Sequence, residues 1–165
     1  MSKIPESLYA DKGLRFANYI VDRIASILLL YGIIFVISYV SVIINIEQIA
    51  NFFVNINPVV DWLISTLFYI LYYHLFEGIT KGRSLGKYIT KTIAIDQEGN
   101  PVNFERAFIR SLCRLIPFDP LSFLGNTARG WHDSFSKTYV VKIDDLQAYK
   151  QNYIELDQLG ENTEE

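Results

Sequence analysis

Arg15, Asp22 and Arg23 share one stretch of helical periodicity, and the last two abut a run, Ile24 to Ile44, that carries no charge at all. A carboxylate and guanidinium groups placed like this can do two kinds of chemistry. They can neutralise one another through charge-assisted hydrogen bonds. Alternatively, the carboxylate can exchange protons or hold a cation at the edge of a low-dielectric layer. Other titratable residues lie where they could join this cluster: His74 and Glu77, one helical turn apart at the end of a second apolar run, then Lys87, and then the pair His132-Asp133. A third group, Arg106, Arg110 and Arg114, is spaced by four and so lines one helical face. Phe104, Phe108, Leu112 and Leu115 form an apolar stripe on another face, which predicts arginine heads at lipid-phosphate level above apolar side chains in the acyl region.

Catalytic constellations do not emerge. Gly82 and Gly86 lack the spacing of a phosphate-binding loop, and His132, Asp133 and Ser134 are consecutive, so they cannot stack into a triad. Two histidines and one cysteine are too few for a zinc pattern, so no metal and no cofactor is expected, and no enzyme activity. Arginines set among so many buried-type aromatics do not read as a nucleic-acid surface either. Cys113 reads as a small buried apolar residue; a reactive thiol would need Arg110 and Arg114 to lower its pKa.

The elements that must position these residues are dominated by two apolar blocks. Ile24–Ile44 is about 21 residues long, enough for a helix to cross a hydrocarbon core. The helix containing it should begin near Gly13 or Leu14, with an amphipathic first part. Val59–Ile79 is a second block of that length, with Trp62 near one end and Tyr72 and Tyr73 near the other, where aromatic belts form. Asp61 would lie at the outer headgroup level beside Trp62. Between the blocks, Ile46, Ile49, Phe53 and Ile56 recur at helical spacing, predicting a short helix on the membrane surface, and Pro58 marks the break after it. Together these segments predict an antiparallel transmembrane hairpin.

Beyond Gly82 the texture changes. Ile89 to Ile95 reads as a strand, Glu98 to Pro101 as a turn, and the arginine-bearing segment as a helix stopped by Pro117 and Pro120. That helix is too short to cross, so an interfacial or re-entrant placement is expected. A distorted third crossing over Phe108–Phe123 would demand burial of Arg110 and Arg114, a costly alternative. Residues 136–144 suggest a second strand that could pair with Thr90–Asp96.

The chain is 165 residues long, room for one domain, and half of it is hydrophobic. Its net charge of −3 conceals an imbalance, because Asp144, Asp145, Glu155, Asp157, Glu161, Glu164 and Glu165 crowd the end. Residues 1–142 therefore read as the membrane domain, and 143–165 as an acidic tail that is partly disordered. The N-terminus lacks a cleavable-leader pattern, so the first helix should remain in the mature protein. Lysines and arginines flank the hairpin at its open end, and the 45–58 connection has none. By the positive-inside rule this predicts a multi-pass cell-membrane protein with both termini cytoplasmic.

Three local patterns coincide here. They are Arg15 with Asp22; GRSLGKYITKTIAIDQEGNPVNFERAFIRSLCR after the second apolar block; and RGWHDSFSKTYVV near the end. In this order and spacing, over roughly residues 10–142, the chain resembles the RDD family of small integral membrane proteins, named for an arginine and two aspartates. The resemblance implies that those three residues are Arg15, Asp22 and Asp133, and draws attention to Gly86, Lys87, Arg110 and His132. Lys137 stands where a glycine commonly precedes the threonine. Transport of ions or small ligands, including sodium–proton exchange, is what the resemblance suggests for some members.

The expected fold is thus an all-α membrane protein, a transmembrane hairpin with an amphipathic or re-entrant third helix and a small cytoplasmic β element. The expected partners are the bilayer and either further copies of the chain or another membrane protein. Two functions fit. One is a scaffold whose charged cluster, with Arg23, His74 and Glu77 in support, holds cytoplasmic segments or binds headgroups or a partner. The other is an oligomeric transporter of ions or small solutes, cation–proton exchange among them, that uses Asp22.

Overall fold

The computed structural model describes residues 4–122, 124–125 and 128–161. Asp11 caps the first helix, its side chain accepting from the Leu14 amide at 2.9 Å, and α1 then runs from Lys12 to Ile43. Its buried residues are Arg15, Asn18, Asp22, Ser26, Leu30 and Ser41, most of them polar and three or four apart. Leu28, Phe35 and Val36 face outward instead, Phe35 being 70% exposed. A helix with polar residues inside and apolar ones outside is arranged for lipid rather than water.

The chain turns at Asn45, in the left-handed region, into α2 (Glu47–Val54), which packs against α1. Asn57 accepts from the Val59 amide at 2.8 Å, Pro58 occupies the first turn, and α3 extends from Pro58 to Ile79. Both α1 and α3 are long and apolar enough to cross a membrane. They run antiparallel with a stagger. Tyr31 donates to both oxygens of Asp61 (3.2 and 3.3 Å), Arg23 lies over the Tyr69 ring, and Asp22 meets Tyr72 and Tyr73. The start of α3 therefore stands opposite the middle of the Ile24–Ile44 run, not its far end. Asp61, expected beside Trp62, also finds a tyrosine partner on α1. The far part of α1 is accompanied by α2, which explains why that segment is apolar on so many sides.

After Lys81 and Gly82, both at positive φ, comes a single-turn helix, α4 (Leu85–Ile89), where the sequence suggested a strand beginning at Ile89. The strand β1 is confined to Thr92–Ile95 and pairs antiparallel with β2 (Tyr139–Lys142), Ile93 facing Val141 and Ile95 facing Tyr139. Tyr9 bridges to Val141, tying the segment before α1 to the sheet. One face of this sheet buries Ile93, Ile95, Tyr139 and Val141 with Ile4 and Leu146; the other packs Ala94 and Val140 on Ala10, Val102 and Ala107.

The arginine-bearing segment forms α5 (Phe104–Cys113), capped by Asn103. It runs antiparallel to α3: Phe104 packs against Gly78 near the end of α3, while Leu115 and Phe118, just beyond α5, share a cleft with Trp62 and Tyr69, and Arg114 reaches the Tyr73 ring at 3.7 Å. The short helices α6 (Asp119–Ser122) and α7 (Trp131–Phe135) follow. Phe123, the predicted limit of a third crossing, lies outside the described residues. Residues 143–161, expected as part of a fraying tail, form the helix α8 (Ile143–Glu161). Leu146 anchors it in the sheet core, and Asp144 and Asp145 complement the positive end of its dipole. Residues 162–165 of that tail are outside the described part.

Candidate functional site

Asp22 lies on the buried face of α1, four residues beyond Asn18, and is 1% exposed. Four donors converge on its two oxygens. They are the hydroxyls of Tyr72 (3.1 Å), Tyr73 (3.0 Å) and Ser84 (2.5 Å) and the backbone amide of Gly86 (2.8 Å). These donors are neutral, in contrast to the arginine partner expected from the sequence. Tyr72 and Tyr73 are accordingly not belt residues: both are buried, with their hydroxyls spent on Asp22. The amide reaches Asp22 because Gly86 has no side chain, and a Cβ there would lie 2.6 Å from the Asn18 carbonyl oxygen.

A second cluster sits beside the first. Glu77, fully buried, accepts from Lys87 Nζ (2.8 Å), Arg110 Nε (2.7 Å) and Arg114 Nη2 (3.3 Å). Arg110 continues to Asp133 through Nη1 at 2.6 Å and also contacts Thr138 Oγ1. Asp133 is bonded as well by Arg15 and by the Gly130 amide (3.0 Å) at the start of α7. His132 points its Nδ1 at Asp119 (2.7 Å) and its Nε2 toward Arg15 (3.3 Å), and its own amide donates to Asp119 (2.8 Å).

Together these residues form a buried charged cluster: ion pairs join Glu77 and Asp133 to Arg15, Lys87, Arg110 and Arg114, Asp119 is reached through His132, and Asp22 lies beside them on neutral donors. Its acids are Asp22, Glu77, Asp119 and Asp133, and its cations are Arg15, Lys87, Arg110 and Arg114. Equal numbers of each sign make burial tolerable, because an uncompensated ion in a low-dielectric interior is far costlier than a paired one. A polar cavity of about 20 Å³, room for one water, lies between Asn18, Asp22, Lys87, Arg114 and His132.

Burial and partners set the protonation states. Burial pulls the Lys87 ammonium down to about 8, although Glu77 opposes the shift. Burial likewise lowers His132 to about 4, against the pull of Asp133 and Asp119, so its imidazole is neutral near pH 7. Burial alone would raise Asp133, yet Arg15, His132 and Arg110 hold its carboxyl well below the usual range. Both His132 and Asp133 have depressed folded-state values, so both favour folding at neutral pH and lose that contribution on acidification. Thermal stability of the detergent-solubilised protein is therefore expected to fall as pH drops from 6.5 toward 4, and His132→Gln is expected to flatten that slope. A midpoint that stays constant over this window would contradict the assignment. Burial and Asp119 push the Cys113 thiol up, outweighing Arg110 and Arg114, so the geometry disfavours a reactive thiolate.

Of the residues singled out in the sequence, Arg15, Asp22, Glu77, Lys87, His132 and Asp133 are brought together. The arginine stripe is not a lipid-facing stripe, because Arg110 is 0% exposed and the Arg114 side chain 6%. The face of α5 they occupy is turned toward Glu77, which both arginines bond. Only Arg106 remains outward, half-exposed beside Asp96 at 3.4 Å. His74 lies outside the network, between Phe104 and Phe108. Arg23 also lies outside it, over Tyr69 at 5.0 Å. Residues that sequence reasoning missed include Asp119, Ser84 and Thr138. Tyr69, Tyr72, Tyr73 and Phe76 carried a readable signal, being spaced three or four apart on one helical face; Asp119, in a proline-broken segment, carried none. Among the described residues no three His, Cys, Asp or Glu side chains converge as metal ligands do.

Lys137, in the position where the sequence comparison anticipated glycine, sits at φ 53°, a left-handed conformation that glycine adopts at no steric cost. No curated protein and no solved structure matches the chain. The model of the RDD family, however, matches residues 9–141, which run from the segment before α1 to β2 and hold every member of the ion network. The chain belongs to the RDD family.

Proposed function

We propose that this protein is a bilayer scaffold in which buried charge locks a cytoplasmic sheet and a re-entrant α5 onto a two-helix hairpin. The observation that carries this reading is Arg110, fully buried and bridging Glu77 on α3 to Asp133 on α7. A group whose Nε and Nη1 are both held by buried carboxylates, with only Nη2 unpaired, is fixed in place rather than free to bind and release a substrate. Asp22, holding four donors at once, is equally occupied. The distribution of lysine and arginine supports an arrangement with both termini in the cytoplasm. Exposed apolar side chains along α1, α2 and α3 support contact with lipid and with further copies or a membrane partner. This reading includes no catalysis.

One observation favours a second reading. The water-sized cavity touches Asp22 and Lys87, whose depressed pKa lies near physiological pH, so a proton could pass between them as one step of transport. Against it, the cavity is ringed by Arg15, Lys87 and Arg114, which repel a cation, and two crossings per chain enclose no pathway without an oligomer.

Asp22→Asn separates the two. An amide in this position presents an NH2 to the Gly86 amide or to a hydroxyl and leaves the network one positive charge in excess. A clamp predicts loss of monodisperse protein in size-exclusion chromatography. A transport site predicts normal assembly, with ion flux in proteoliposomes abolished; that outcome would sink the scaffold reading.

A further inference from the structure

A wider opening lies outside the network. α1, α3 and the turn after α5 enclose a cleft of about 310 Å³ whose lining includes Tyr19, Arg23, Trp62, Tyr69, Arg114 and Phe118. One end is polar and cationic. Arg23 has no carboxylate partner among the described residues, and it directly precedes the charge-free run of α1, at the depth where a helix enters hydrocarbon. The Tyr69 hydroxyl is buried there without a hydrogen-bond partner, and so is Arg114 Nε. Those orphans are costly unless something fills them. Arg114 is already balanced by Glu77, so the net positive charge of the cleft comes from Arg23. The other end is apolar: Trp62 is exposed on α3, and Phe118, 73% exposed, projects from the turn.

Cationic donors at one end and apolar walls at the other match an amphiphile rather than a free ion. We propose that this cleft binds an anionic glycerophospholipid, its phosphodiester received by Arg23, the Tyr69 hydroxyl and Arg114 Nε, with an acyl chain along Trp62 and Phe118. The proposal rests on the hairpin lying in the bilayer, as does the scaffold reading, and adds the class of ligand. A phosphatidylcholine headgroup brings a quaternary ammonium beside Arg23 and meets no carboxylate in the cleft lining, so anionic headgroups are preferred.

Trp62 is a built-in reporter once Trp131→Phe makes it the sole tryptophan. The full chain, reconstituted in phosphatidylcholine vesicles, is titrated with brominated phosphatidylglycerol or brominated phosphatidylcholine. Trp62 quenching is expected at a lower mole fraction of the anionic lipid. Arg23→Gln is expected to raise that mole fraction about fivefold, the worth of one basic side chain at an anionic membrane surface. Tyr69→Phe removes only an orphan hydroxyl, so it should fold normally and shift the curve the same way by less. Arg106→Gln, outside the cleft, should leave it unchanged. Equal quenching by the two lipids, an unshifted Tyr69→Phe curve, or reversal by inorganic phosphate would each overturn the proposal. Because the ion network is intact in these variants, a negative result here is distinct from a folded Asp22→Asn, which speaks against the clamp.

Discussion

Replacing Arg110 with methionine is expected to destabilise the protein by about 3–5 kcal/mol, the usual consequence of removing one partner from a buried ion pair. Two ion pairs disappear together, Nε to Glu77 at 2.7 Å and Nη1 to Asp133 at 2.6 Å, along with the contact to Thr138, and the network is left with an excess carboxylate where solvent cannot reach. Arg110→Lys should recover only part of the loss, since a single ammonium cannot span two carboxylates in the way a guanidinium fork does. Charge balance sets a sharper expectation. Adding Glu77→Gln to Arg110→Met restores equal numbers of each sign, so the double variant should lose less than the sum of the singles, with a coupling of roughly 0.5–3 kcal/mol. Thermal unfolding in detergent, followed by size-exclusion chromatography, reads both. Simple additivity would mean that Arg110 and Glu77 act independently, and the bridging role would be wrong.

Gly86→Ala should be nearly as damaging for a steric reason. The added Cβ would lie 2.6 Å from the Asn18 carbonyl oxygen and 2.8 Å from its Cα, and these are backbone atoms of α1 that cannot rotate aside. α4 would have to retreat, taking the Gly86 amide away from Asp22. Overpacking and the lost hydrogen bond to a charged acceptor together predict about 3 kcal/mol. Gly32→Ala is the control. Nothing lies within 4 Å of a Cβ at that position, so the midpoint should hold or rise slightly, as helix propensity favours alanine. If both glycine variants melt alike, the close approach of α4 to α1 is not what positions the amide.

The long apolar runs, the Pro58 break before α3 and the strand character of β1 and β2 all follow from short-range rules, because turn residues and periodicity act within a few positions. The two spanning-length helices were legible for the same reason. The partners of the charges were not. Arg106, Arg110 and Arg114 look equivalent at a spacing of four, yet one faces Asp96 near the surface and two face a buried Glu77. Helical periodicity tells which residues share a face and is silent on what that face meets.

The sequence by itself determined the lipid-suited helices and the two short strands, each encoded within one segment. Only the tertiary structure decided the stagger of α1 on α3, the neutral donors around Asp22, the inward turn of the arginines and the entry of Asp119. The physical reason is desolvation. Ions forced out of water must pair with whatever the packing of distant segments places within about 3 Å, and that pairing is a property of the assembled whole.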